Sequence, residues 1–402
     1  MFRFFALPYI TSGFVAMLVG YTSAAAIVFQ AATASGASPD KVSSWMWSVG
    51  VGMGLCGIAM SLRYNAPIII AWSTPGAALL VTSLPGVPMA DAVGAFLFCS
   101  FLLTLCGVTR WFEKIMEIVP RSIASAMLAG VLLSFGLNAF TALQTSFVMV
   151  SVMLVTYIAG KRFLPRYVIP ITFAVGVAIA AFNGELASEN ISLALTVPVW
   201  TTPTFSLSVM LGVGIPLFLV TMASQNIPGI AVLRAHGYNT PASPLISWSG
   251  FTGLLFAPFG GFAFNLGAIT AAICMGEVVD PDPSKRYYAS VWAGIFVTLM
   301  GLFGATVTAL FTLFPSELIM AIAGLALVST ISNSLATALD VEEEREAAFI
   351  TFAITASGVT LLTIGAPFWG LLAGLSIHYF MKLARPKAKD IIQAAKSGSS
   401  SN

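Results

Sequence analysis

Apolar residues fill most of this chain in runs of about 17 to 25, the length that crosses a bilayer as a helix. The runs lie near 8–30, 42–62, 66–83, 90–109, 122–138, 142–160, 167–183, 206–227, 243–256, 258–276, 287–310, 317–337, 346–364 and 367–384. Fourteen spans predict an all-α integral membrane protein that divides as seven plus seven, and an odd number per half makes the halves inverted relative to one another. The third and tenth runs do not sustain a helix throughout. In Phe256 to Gly276, FAPFGGFAFNLGAITAAICMG, Pro258 lacks an amide hydrogen and Gly260 and Gly261 disfavour helix, before a clean helical run takes over. Tyr64 to Leu80, YNAPIIIAWSTPGAALL, repeats the frame A-P, eight residues, G-A: Ala66-Pro67 matches Ala257-Pro258, and Gly76-Ala77 matches Gly267-Ala268. Each stretch predicts a broken span, extended first and helical second, with the half-helices beginning near Ser73-Thr74 and Phe264-Asn265. Irregular backbone at membrane depth is tolerated only where protein or a cavity satisfies it, so the two breaks predict a binding site.

Composition narrows the class. The chain is 58% hydrophobic and 8% charged, against roughly 25% charged in soluble domains, which excludes a water-soluble protein. A net charge of +2 implies no nucleic-acid partner. With both termini cytoplasmic, the predicted spans place seventeen of the eighteen lysines and arginines inside and Lys41 alone outside, a strong positive-inside pattern. The segment from Asn183 to Thr204, with Glu185 and Glu189, is the natural joint between the halves. Cys56, Cys99, Cys106 and Cys274 all fall in apolar segments without metal-ligand spacing, so neither metal nor cofactor is expected. The first apolar run continues into the body of the chain, which argues against a cleaved signal peptide.

Other signals read as structure. Gly52 to Gly57 spells GxGxxG, but it lies within a span with no strand before it, and small residues there suit close helix packing. The acidic cluster Asp340 to Glu346 fits a solvated helix N-terminus. His236 and His378 stand near cytoplasmic ends and read as interfacial. No GxSxG, HExxH, paired catalytic carboxylates or P-loop is present, so the sequence offers no enzyme.

No Asp, Glu, Lys or Arg occupies the middle of a predicted span, so a charged solute there needs another partner. Two facing half-helix N-termini, each carrying about half a positive charge on unpaired amides, suit a carboxylate or another small anion. Ser73, Thr74, Asn265 and Gly267 belong to those tips, and Trp72, Phe262 and Phe264 are candidate flat apolar walls. The expected solute therefore joins an anionic end to an aromatic or apolar body. The eighth span adds Ser224, Gln225 and Asn226 at similar depth, followed by a break at Pro228-Gly229, and the first span adds Tyr21, Thr22 and Ser23.

SQNIPGIAVLRAHGY and APFGGFAFNLGAITAAICMGE resemble signature regions of the benzoate membrane transporter family, the BenE-type benzoate–proton symporters, over essentially the whole chain. More distantly, both are similar to stretches of the uracil and nucleobase–ascorbate transporters. The resemblance implies core domains at 1–121 (spans 1–4) and 204–310 (spans 8–11), gate domains at 122–203 (spans 5–7) and 311–385 (spans 12–14), and a cytoplasmic tail at 386–402. It also implies benzoate or a similar aromatic carboxylate as substrate, symport with protons, elevator-like movement, residence in the inner (plasma) membrane and a homodimer through the gate. The nucleobase group carries glutamates in A-E-S-I-G and F-A-E-N-I-G. Here S-Q-N-I-P-G puts Gln225 at the first and F-A-F-N-L-G puts Phe264 at the second, keeping Asn265. Loss of both acidic groups argues against nucleobases and for an aromatic acid, whose carboxylate a midplane carboxylate would repel. The proton then rides on the substrate or uses Glu277 at the end of the tenth span. The alternatives are an inorganic-anion or dicarboxylate permease of the same fold and, in a different class, a channel or a non-transporting scaffold.

Overall fold

The computed structural model describes residues 2–111, 119–165, 167–186, 193–362 and 364–384. Long apolar segments form helices because, without water, only intrasegment bonding satisfies their backbone. In chain order these are α1 (Leu7–Ala34), α2 (Pro39–Tyr64), the two-residue strand β1 (Ile70–Ala71), α3 (Thr74–Ser83), α4 (Met89–Thr109), α5 (Arg121–Thr141), α6 (Phe147–Phe163) and α7 (Val168–Phe182). The second half holds α8 (Leu207–Ala235), α9 (Ala242–Phe256), β2 (Asn265–Leu266), α10 (Ala268–Met275), α11 (Tyr287–Leu302), α12 (Gly304–Leu313), α13 (Ser316–Ala338), α14 (Arg345–Ser357) and α15 (Ala366–Ala384). Among the described residues, five helices are long and apolar enough to cross a membrane by themselves, and up to seven if each of two bent pairs is one span.

Glycines let these helices approach closely. Gly50 and Gly54 of α2 lie against Gly301 and Gly294 of α11, and Gly250 and Gly253 of α9 against Thr104 and Ser100 of α4. Gly52 abuts the Phe264 ring, so the GxGxxG stretch is a packing surface. The largest apolar cluster joins α1–α5 with α8–α10 around the two breaks, and a second joins α6, α7 and α13 through Met153, Tyr157, Leu318 and Ile322.

Two expectations about helix continuity fail for physical reasons. The predicted break at Pro228-Gly229 does not occur: α8 runs through it, with π-turns at Met210–Gly214 and Met222–Asn226, each ending two residues before a proline, Pro216 and Pro228. A wider turn displaces the carbonyl that the ring would strike, so the helix accommodates the proline. Conversely, the predicted run 287–310 is bent by 69° between α11 and α12. The groups freed by that bend are satisfied by the joint between the halves. Thr196 donates its amide to the Leu302 carbonyl (2.9 Å) and accepts from the Ala305 amide through Oγ1 (2.7 Å). The same extended stretch donates from Val199 to Ser44 Oγ (2.9 Å), from Thr201 to the Pro258 carbonyl (2.8 Å) and from Thr204 to the Ala90 carbonyl (3.0 Å). The joint is thus a strap across the ends of α2, α4, α9 and α11.

Candidate functional site

Both breaks meet. β1 and β2 pair antiparallel, Ile70 opposite Leu266 and Ala71 opposite Asn265, and the Gly267 amide donates to the Ile69 carbonyl (2.9 Å). The first break is set by Asn65, which ends α2 in the left-handed region (φ 47°), then by Pro67 and the β-branched Ile68 to Ile70. Ser61 Oγ donates to the Ile68 carbonyl (2.8 Å). The second break is set by Gly260 (φ 96°) and by Ala263 (φ 46°), whose carbonyl accepts from Asn265 Nδ2 (2.9 Å). The Leu266 amide donates to Asn226 Oδ1 (3.1 Å), which ties β2 to the second π-turn of α8.

Each strand feeds a half-helix. α3 is capped by Ser73, whose Oγ accepts from the Gly76 amide (3.0 Å). α10 has Gly267 at its N-cap and no side-chain cap, so its first-turn amides are left without a side-chain acceptor. The predicted start at Phe264-Asn265 is corrected to Ala268, because Asn265 and Leu266 are held in the ladder with β1. The A-P…G-A frame therefore marks both breaks without sharing their register: Gly267 caps α10, whereas Gly76 lies inside α3.

Beside the crossing lies a small cavity of about 50 Å³ bounded by α1, α2, β1, the first turn of α10 and α11. Its wall is almost wholly carbon, with Met17, Met53, Ile69 and Val297 among the lining, and among the described residues no Asp, Glu, His, Lys or Arg lines it. Tyr21 and Trp72 meet edge to face there, ring centroids 5.1 Å apart. Thr270 of α10 and Ser290 of α11 also line it.

Of the residues singled out from sequence, the structure brings Tyr21 and Trp72 to the pocket and Ser73, Thr74 and Gly267 to the half-helix tips. Asn226 and Asn265 are buried in the hydrogen bonds that hold β2, and Gln225 is half-buried on the π-turn beside them. Phe262 and Phe264 are not in the pocket. Phe262 packs with Trp45 and Phe96, and Phe264 lies between α2 and α9 against Gly52 and Phe256, both rings fully buried. The Ser23 side chain lies outside the described residues, and Glu277 is exposed beyond the end of α10. Thr270 and Ser290 were missed. The position of Thr270, in the first turn after Gly267-Ala268, could have found it, but nothing in the sequence marks Ser290. Phe264→Ala removes a fully buried ring, at a cost of about 3–5 kcal/mol of stability. Thermal unfolding in detergent checks this against the smaller loss, confined to binding, expected of a wall residue.

The far end of α10 is clipped by the loop that follows it. Arg286 is buried and donates from Nη1 to the Met275 carbonyl and from Nε to the Asp280 carbonyl, both at 2.7 Å, placing a cation at the negative end of the half-helix. The Tyr9 hydroxyl donates to Asp280 Oδ2 and, with the Asp282 amide, holds that carboxyl below its ordinary range. Tyr238 donates to the Pro283 carbonyl (2.8 Å). The orientation of α10 is therefore set at both ends.

Comparison with known proteins adds the family. The profile described as benzoate membrane transport protein matches residues 3–380. The chain is 46% identical to the inner membrane protein YdcO of Escherichia coli over 92% of this chain and 96% of that one. It is 37% identical to the benzoate membrane transport protein of Acinetobacter baylyi over 94% and 95%. Among solved structures it resembles the transmembrane domain of the cyanobacterial bicarbonate transporter BicA at a TM-score of 0.60 and 13% identity, covering 93% of this chain and 98% of that one. It also resembles murine solute carrier 26 family member A9, an anion transporter captured facing inward, at a TM-score of 0.61 and 12% identity, over 94% and 68%. At such identities these two likenesses concern the fold alone.

Proposed function

Because the chain belongs to the benzoate membrane transport protein family, and is thus a membrane transporter rather than an enzyme, we propose that it imports benzoate or a similar small aromatic carboxylate together with protons. One observation carries this reading: an uncapped half-helix tip stands beside an apolar, aromatic-walled pocket without a countercharge. The carboxylate lies at the tip of α10, where Thr270 and the uncapped first-turn amides meet it. The ring lies against Tyr21 and Trp72, which sit edge to face. Since no titratable carboxyl lines the pocket, the proton travels on the substrate, whose carboxyl has an ordinary pKa of about 4 that a dry site raises. Glu277, exposed past α10, then plays no part.

The remaining features of this reading are the fourteen spans in seven plus seven, the core at 1–121 and 204–310, the gate at 122–203 and 311–385, and elevator-like movement of one against the other. The paired breaks and the strap across the ends of α2, α4, α9 and α11 support that division. The one-sided distribution of lysine and arginine supports cytoplasmic termini, and the inner-membrane relative from Escherichia coli supports that membrane. A homodimer through the gate completes the proposal.

Uptake into proteoliposomes tests it. Labelled benzoate is expected to accumulate saturably when the outside is acidic, and Glu277→Gln is expected to accumulate it equally. Equal uptake of sulfate or bicarbonate with no competition by benzoate assigns the chain to inorganic anions instead. Non-saturable flux makes it a channel. Loss of uphill uptake in Glu277→Gln moves the proton onto that residue.

A further inference from the structure

The wall of the pocket formed by α1 and α11 carries an unpaid polar cost. The Tyr21 hydroxyl and the Ser290 hydroxyl are both buried and neither finds a hydrogen-bond partner. The Cys274 thiol lies close to the Ser290 oxygen, but sulfur is a weak hydrogen-bond partner. Both residues belong to the wall of one cavity whose exposed atoms are nearly all carbon, and their oxygens lie just behind that surface. Leaving such a group unsatisfied costs about 1–3 kcal/mol, so a ligand that meets it is favoured over one that does not.

Neither hydroxyl is needed to hold the carboxylate, which the tip of α10 receives. Tyr21 stands on α1 with its ring edge to face with Trp72, and Ser290 stands on α11 beyond Ala293 and Gly294 in the pocket wall. A benzoate ring would leave both oxygens as they are. A ring bearing a hydroxyl group offers a donor and an acceptor that the apolar wall otherwise lacks. We infer that Tyr21 and Ser290 are specificity determinants that recognise a hydrogen-bonding substituent on the ring, so that the pocket prefers a hydroxylated aromatic acid to benzoate itself. The inference rests on the pocket being the substrate site, and it adds which member of the substrate class the site selects.

Binding of benzoate and of its 2-, 3- and 4-hydroxy derivatives to the full chain in detergent, by calorimetry or tryptophan fluorescence, tests it. At least one hydroxybenzoate is expected to bind about 2- to 12-fold more tightly than benzoate, the range of one neutral hydrogen bond. Ser290→Ala and Tyr21→Phe are each expected to narrow that ratio. Because each variant deletes an oxygen with no partner, the melting temperature of the substrate-free protein is expected to hold or rise. A wild type that binds all three hydroxy acids no better than benzoate overturns the inference while leaving the transport reading intact. So does a ratio that neither variant moves. A clear fall in melting temperature for both variants means that the hydroxyls are already bonded, to a water or to Cys274, and also overturns it. If no aromatic acid binds, the transport reading and the inference fall together.

Discussion

Thr270→Asp is expected to abolish benzoate uptake while leaving the fold intact or slightly more stable. Thr270 is the third residue of α10, in an uncapped first turn, and it lines the pocket. A carboxylate in the first turn of a helix is favoured by the macrodipole by about 0.3–1 kcal/mol, so the variant should melt no lower than the wild type. The same charge confronts the substrate's own. Two like charges roughly 4 Å apart repel by about 4 kcal/mol at an effective dielectric of 20, close to a thousandfold in affinity. Thr270→Asn brings a polar side chain of similar size without the charge and should lose far less. Binding and melting measured on the same preparations separate the two effects. An aspartate variant that binds benzoate as the asparagine variant does would remove the α10 tip from anion recognition.

The second large effect concerns the break itself. Gly260 holds φ 96°, and a methyl group built there overlaps the indole of Trp45. Trp45 cannot yield, because it is 2% exposed and wedged against Phe96 and Phe262. Gly260→Ala therefore combines left-handed strain of about 1–2 kcal/mol with overpacking of about 1–3 kcal/mol. Expression and thermal stability should fall sharply. At Gly86, with φ 78°, a methyl group would meet nothing within 4 Å, so Gly86→Ala carries the backbone cost alone, about 1 kcal/mol. Equal losses at the two positions would show that Trp45 plays no part in the requirement for glycine.

The pair of variants also marks how far the sequence could be read. Glycine at 260 was legible as a helix breaker from Pro258, Gly260 and Gly261 together. Its collision with an indole brought by another helix was not. Likewise Trp72, beside the first break, and Tyr21, a polar residue of the first span, stand out in the sequence, and both line the pocket. Phe262 and Phe264 carried the same signal and turned the other way, into the packing of α2, α4 and α9. In an extended segment successive side chains point to opposite faces, and two positive-φ residues, Gly260 and Ala263, make the facing of this one unreadable from spacing. Arg286 looked like a topological charge in a loop, and only the fold places its guanidinium on the Met275 carbonyl.

Sequence alone determined that the chain belongs in lipid, that two segments break, that no formal charge waits between them, and which family it resembles. These are additive properties: hydropathy, helix propensity and charge act residue by residue on the transfer of a segment from water. Tertiary structure decided where α10 begins, which aromatic rings line the pocket, that Thr196 mends the bend after Leu302, and that Ser290 joins Tyr21 in one cavity. Each of those depends on a hydrogen bond or a contact between segments far apart in the chain, whose geometry no local pattern encodes.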